Sequence, residues 1–164
     1  MKYVSVAMLS LFFVASGGMA TEEPLQHKLA ELFAKTHLEP IHRIADLPSA
    51  VASLLDVHGT FSMADPDRHW NPGCVHDSEN PEPDRRLVAA GKSNSLIAVH
   101  YEQGGYAVFR VLQLLLLAPD GEVAGRCVFF TSSPGAPLSH FRRKFPADFD
   151  LNRCEQFTSV EPAA

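Results

Sequence analysis

The chain has 164 residues, 46% of them apolar, with 14 basic and 19 acidic side chains and a formal net charge of −5. These values describe one globular domain with room for a short terminal segment; they exclude a collagen, a low-complexity disordered chain and a multi-span membrane protein. The acidic balance argues against nucleic acid as a partner, because phosphate contacts need clustered Lys and Arg.

Residues 1–20 read MKYVSVAMLSLFFVASGGMA. A short basic start (Lys2) precedes an apolar stretch from Val4 to Ala15, and Gly18 and Ala20 occupy the −3 and −1 positions of a cleavage site. This is the layout of a secretory signal peptide, with an apolar core too short to span a bilayer. The expected mature chain is a single domain, residues 21–164, with no membrane span, in the periplasm or secreted. Export implies oxidising conditions, so one disulfide is expected among Cys74, Cys127 and Cys154. Three pairings are possible. Cys74 with Cys154 is favoured, since both lie in polar, loop-like surroundings, whereas Cys127 sits in an apolar run and reads as a small buried hydrophobe.

From Leu25 to His37 the apolar residues Leu25, Leu29, Leu32 and Phe33 recur at helical spacing, which predicts an amphipathic helix ending before Pro40. A second helix is expected over Pro48–Leu55, capped by Asp46 with Pro48 in its first turn. His58–Met63 reads as a first strand, and a long polar stretch, Ala64–Arg85, follows. Four strand signals then come close together: Arg86–Gly91, Leu96–Gln103, Tyr106–Ala118 and Glu122–Thr131. Their short connections demand an antiparallel β-meander. With Gly104-Gly105 as a two-residue loop, Gln103 faces Tyr106 and His100 faces Phe109. One face then carries Leu96, Ala98, His100, Phe109, Val111 and Leu115; the other carries Ile97, Val99, Tyr101, Val108, Leu112 and Leu114. Both are apolar, so the third strand of the meander is expected to be covered on both sides, once by the N-terminal helix and once by the C-terminal segment or a curl of the sheet. A short helix is predicted over Leu138–Phe145, followed by a tail with Phe149, Leu151 and Phe157 as anchors.

The polar stretch holds the only tryptophan, Trp70, together with His69, Cys74 and His76. A loop of this length in a compact domain is usually functional or disordered, so Trp70, His69 and His76 are the candidate binding residues. No zinc-ligand spacing relates His69, Cys74 and His76, and Asp65 and Asp67 lack the Gly and terminal Glu of a calcium loop; neither a metal nor a cofactor is expected. His100 and Glu102 share one strand face and are the candidate catalytic pair, with the histidine as general base. Ser93, Ser95 and Cys127 are conceivable nucleophiles without a hydrolase signature around them, and no phosphate or dinucleotide loop is present. Arg142-Arg143-Lys144 forms a small basic patch suited to an anionic lipid, wall polymer or acidic partner. Arg85-Arg86 is a second such pair, with Asp84 beside it.

Arg85-Arg-Leu-x-x-Ala-Gly-x-Ser, followed by Val99-His-Tyr-Glu-x-Gly-Gly, resembles a segment of small uncharacterised bacterial exported proteins, and Met63-Ala-Asp-Pro is similar as well. The likeness covers the middle third of the chain. It implies no activity and no catalytic residue, but it suggests that Met63–Gly105 forms one structural unit.

The reading is therefore an α+β fold: N-terminal helices packed on a four- to five-stranded antiparallel β-meander, with a β-sandwich or partly closed barrel as the alternative. The expected function is an exported, non-enzymatic binding or interaction module for an unknown protein or envelope ligand. The alternatives are a small hydrolase using His100 and Glu102, and a structural envelope component.

Overall fold

The computed structural model describes residues 24–58, 62–75, 79, 81–144 and 154–157. The expected signal peptide, His76, Phe149 and Leu151 lie outside the described residues.

Among the described residues an open sheet of seven strands organises the fold. Its strands are β1 (Glu39–Ile41), β2 (Met63–Ala64), β3 (Arg85–Lys92), β4 (Leu96–Gln103), β5 (Phe109–Leu117), β6 (Val123–Phe130) and β7 (Cys154–Gln156). The order is β1-β3-β4-β5-β6-β7, and β2 lies parallel on β3 beside β1. All other pairs are antiparallel. The meander β3 to β6 stands where the alternating apolar residues place it. The three short strands at its two edges raise the count above the expected four or five, because none is long enough to show a period of two. Since the path ends at β1 and β7, the sheet does not close into a barrel.

Helices cover both faces, and the second cover comes from the segment around α2 (Ser49–Leu54), not from the C-terminal segment or a curl of the sheet. On one face, helix α1 (Leu25–Lys35) sets Leu29 and Phe33 against Leu96, Ala98, Leu112, Leu114, Cys127 and Phe129. Helix α3 (Leu138–Lys144) adds Phe141 to the same layer. Arg142 ties the two helices, donating from Nε to the Phe33 carbonyl (2.9 Å) and from one terminal nitrogen to Thr36 (2.6 Å). These are carbonyls that a helix end leaves without intrahelical partners. Arg142 thus belongs to the scaffold and not to an exposed basic patch. On the other face, a 3₁₀ turn (Ile44–Asp46) and helix α2 (Ser49–Leu54) bring Ile44, Leu47, Val51, Leu55 and Val57 onto Ile97, Val99, Val111 and Leu115. Each large side chain so buried contributes about 1.5–3 kcal/mol relative to exposure.

Asp46 lies in the 3₁₀ turn, and Pro48 is the N-cap residue of α2, so the expected Asp46 cap is not formed. The helix ends in a Schellman arrangement: Val57 N–H donates to the Ala52 carbonyl (3.2 Å) and Asp56 N–H to Ser53 (3.0 Å). Asp56 supplies the left-handed residue this needs, with φ of 49°.

Cys127 on β6 stands opposite Cys154 on β7, and the two form the disulfide, with Cα atoms 4.1 Å apart. The favoured Cys74–Cys154 pairing is thereby overturned: Cys74 is a free, exposed thiol. Strand pairing decides this, because directly opposite residues point to the same face at bonding distance.

Candidate functional site

The end of the sheet where β4 turns into β5 gathers most residues singled out by the sequence. Gln103 pairs with Phe109 and His100 with Leu112, so the connection spans residues 104–108. The expected two-residue loop placed Tyr106 opposite Gln103; Tyr106 sits in the turn instead. The register moves by an odd number of residues, which exchanges the faces of β5. Leu112 and Leu114 therefore lie with His100, while Val111 and Leu115 lie with Ile97 and Val99.

The longer turn accommodates the polar loop, which docks against it. Gly104 N–H donates to the Asp84 carbonyl (2.8 Å) and Gly105 N–H to Pro72 (3.2 Å). A Cβ at Gly104 would lie 2.9 Å from both Cα and C of Pro72, so only glycine permits this approach. The loop is also closed on itself: Asn71 N–H donates to the Pro83 carbonyl (2.8 Å), and Asn71 Nδ2 donates to Val75 (2.6 Å). Its start is held by Asp65, whose Oδ1 accepts from Ile44 N–H (2.8 Å).

Trp70 anchors the loop. It is only 8% exposed and has the Arg86 guanidinium over its ring at 5.2 Å. Arg86 in turn reaches Glu102 Oε2 (2.7 Å), which lies opposite on β4, and Arg110 Nε stands 3.4 Å from Glu102 Oε1. A carboxylate that is 5% exposed is thus held between two arginines at the sheet end. Arg86 is compensated by Glu102 across the ladder, and not by its neighbour Asp84. Arg85 points to the opposite face, buried, donating to the Asp56 carbonyl (2.9 Å).

His100 is fully buried, edge-on to Phe141 at 4.7 Å between ring centroids. Its Nδ1 lies 2.9 Å from the Ala136 carbonyl, which only accepts, so Nδ1 carries the proton. Nε2 is buried with no hydrogen-bond partner. Burial lowers the imidazole pKa below its usual value; the Ala136 bond and nearby Glu102 oppose that shift and Arg110 reinforces it. The candidate catalytic pair therefore consists of a core imidazole and an ion-paired carboxylate. Neither lines the 660 Å³ cleft beside α2 (Ile44, Leu47, Ser53, Asp56, His58) or the 430 Å³ polar cleft at His42, Arg43 and Asp65.

The other candidates separate. His69 is on the surface, its side chain 81% exposed and 3.1 Å from Glu82. Ser93 Oγ accepts from Leu96 N–H (3.1 Å) and closes the β3–β4 turn, and Cys127 is in the disulfide. Reading residue types missed a contact between Ser133 Oγ and His140 Nε2 (3.2 Å), because the two meet only across the turn before α3. Among the described residues no carboxylate joins His140 to complete a triad, and no group of three metal-ligating side chains converges.

Four large apolar side chains stand exposed among the described residues: Val75 (81%), Tyr106 (101%), Phe109 (49%) and Phe130 (52%). All are at this one end. Phe109 opens β5, Phe130 closes the antiparallel β6 beside it with ring centroids 6.2 Å apart, Tyr106 is in the turn, and Val75 is in the docked loop. No alternating pattern marks them as a group, since they come from four separate segments. No family model, curated protein or solved structure matches the chain, so its function is read from this geometry alone.

Proposed function

We propose that the protein is an exported, non-enzymatic binding module whose recognition surface is the end of the sheet formed by the 104–108 turn and the loop docked on it. The observation that carries this reading is the gathering of Val75, Tyr106, Phe109 and Phe130 at one end of an otherwise well-covered sheet. Exposed apolar side chains clustered on rigid backbone mark interaction sites. The Arg86–Glu102–Arg110 ion pairs and the Trp70 anchor supply that rigidity. His69 lies on the polar loop of this surface, whereas Trp70 acts beneath it as support.

Export is supported by the layout of residues 1–20 and by the Cys127–Cys154 disulfide, a bond that oxidising compartments maintain. The hydrolase alternative draws no support from His100, whose buried ring reaches neither of those clefts.

A photo-crosslinking side chain placed at position 106 in the exporting cell tests the reading. Adducts are expected from position 106 and not from position 120, at the opposite end of the sheet, and Phe109→Ser should reduce them. Equal labelling from both positions, or none from 106, overturns it.

A further inference from the structure

We propose that His100 is a proton-operated latch: its protonation releases the cover formed by the 132–137 turn and α3 from the sheet. The proposal is independent of the recognition surface described above.

The latch sits on a row of side chains that crosses the sheet. Leu112 on β5 stands opposite His100, and Phe129 on β6 stands opposite Leu112, so all three share one face. The cover lies over this row. Phe141 sets its ring edge-on to the imidazole, and the Ala136 carbonyl takes the Nδ1 proton. Leu138 packs at Gly91, where a Cβ would lie 3.3 Å from its Cδ1. The Nδ1 donor is thus committed to the cover, and Nε2 is buried without a partner among the described residues. A second proton would place a donor and a net charge on a ring that has no exposure to solvent. Burying both without an acceptor is too costly to persist, so proton uptake requires the cover to open.

Few charges face the ring. Burial weighs most against its charged form; the Ala136 bond and Glu102 on the same strand favour that form, and Arg110 on β5 disfavours it. The Glu102 carboxylate is already shared between Arg86 and Arg110. β3 sets Ala89 opposite His100, β6 supplies Cys127 and Phe129, and α1 supplies Leu29 and Phe33. Lys28, Glu31 and Lys35 of α1 are exposed. On α3, His140 meets Ser133 Oγ, and Arg142 is bound to carbonyls at the end of α1.

Which side yields depends on how each is held. β4 is paired along its length with both β3 and β5. The cover is a turn and a seven-residue helix, held by Phe141, Leu138, the Ala136 carbonyl and the Arg142 bonds. It leaves the sheet after Thr131, whose N–H donates to the Arg110 carbonyl (2.8 Å). A short, sparsely bonded segment opens locally before a laddered core does.

Hydrogen exchange of the exported protein, followed by mass spectrometry at pH 7.5 and 5.0 and corrected for intrinsic exchange rates, tests the latch. With an imidazole pKa of about 6.5 in the open state and no proton bound in the closed one, the opening constant rises about thirtyfold over this range. That rise is expected for the amides of α3 and not for those of β4 and β5. His100→Asn keeps an amide donor for the Ala136 carbonyl without a titratable ring, and it should abolish the rise. His100→Gln serves if the Asn variant does not fold. His140→Gln removes the other imidazole of the cover and should retain the rise.

A rise below about threefold in the native protein, or one that His100→Asn retains, overturns the latch. Equal opening of β4 and β5 also overturns it, since the whole domain would then loosen together. A rise lost in His140→Gln would move the trigger to the His140–Ser133 contact and overturn the assignment to His100.

Discussion

Gly104→Ala is the sharpest probe of how this end of the sheet is built. The added methyl would lie 2.9 Å from two backbone atoms of Pro72 and closer still to the Asn71 carbonyl. Backbone on the far side of the contact yields less easily than a side-chain tip, so the loop must move away from the turn. That movement breaks the Gly104 N–H bond to Asp84 and the Gly105 N–H bond to Pro72. Each is worth about 0.5–1.5 kcal/mol net, which together with loosened packing at Trp70 gives a loss of about 2 kcal/mol. For a domain of this size the melting temperature should fall by roughly 4–8 °C. Trp70 is the only tryptophan, so its emission reports on the loop directly. The displaced loop should shift emission to the red, while far-ultraviolet circular dichroism stays native. Gly121→Ala is the comparison: its Cβ meets nothing within 4 Å, but φ of 88° imposes backbone strain. It should lower stability without moving Trp70 emission. Native emission and unchanged stability in Gly104→Ala would refute the close approach.

Replacing Cys127 and Cys154 by Ser opens a cross-link with a sequence separation of 27 and should cost about 3.5 kcal/mol on the chain-entropy account, measured by urea denaturation; Cys74→Ser should leave stability unchanged. Asp56→Gly relieves the left-handed residue after α2 and should raise stability by about 0.5–1 kcal/mol, provided the Arg85 bond to the residue-56 carbonyl is kept. Because burial lowers the His100 pKa, the unfolded chain binds its proton first as pH falls. The stabilisation from neutral His100 is therefore complete above the ordinary value of 6.5 and is lost as pH drops through the lowered folded value. Urea midpoints between pH 7.5 and 5 should fall more steeply for the native protein than for His100→Gln, and parallel slopes would remove histidine as the cause.

The end-of-sheet site was legible in part. Loop length, the single Trp and the strand carrying His100 and Glu102 all drew attention to the sheet end where the polar loop docks. Their roles were not legible, because role depends on burial. Trp70 became support when Arg86 came to lie over its ring, and Glu102 became an ion-pair partner once β3 and β5 set arginines on either side. His100 lost access to solvent when the Ala136 turn and Phe141 closed over it.

By itself the sequence determined the meander and both N-terminal helices, because alternation, helical spacing and turn residues act within a few positions of each other. It left the β4–β5 register open: both faces of β5 are apolar, so an odd shift exchanges the faces without changing how apolar either one is. Only the tertiary structure fixed that register, through the loop that docks at Gly104. It likewise divided the two helices between opposite faces and brought Cys127 to Cys154. It also gathered Val75, Tyr106, Phe109 and Phe130 from separate segments onto one surface. Each of these joins residues far apart in the chain, where local periodicity carries no information and packing between elements decides.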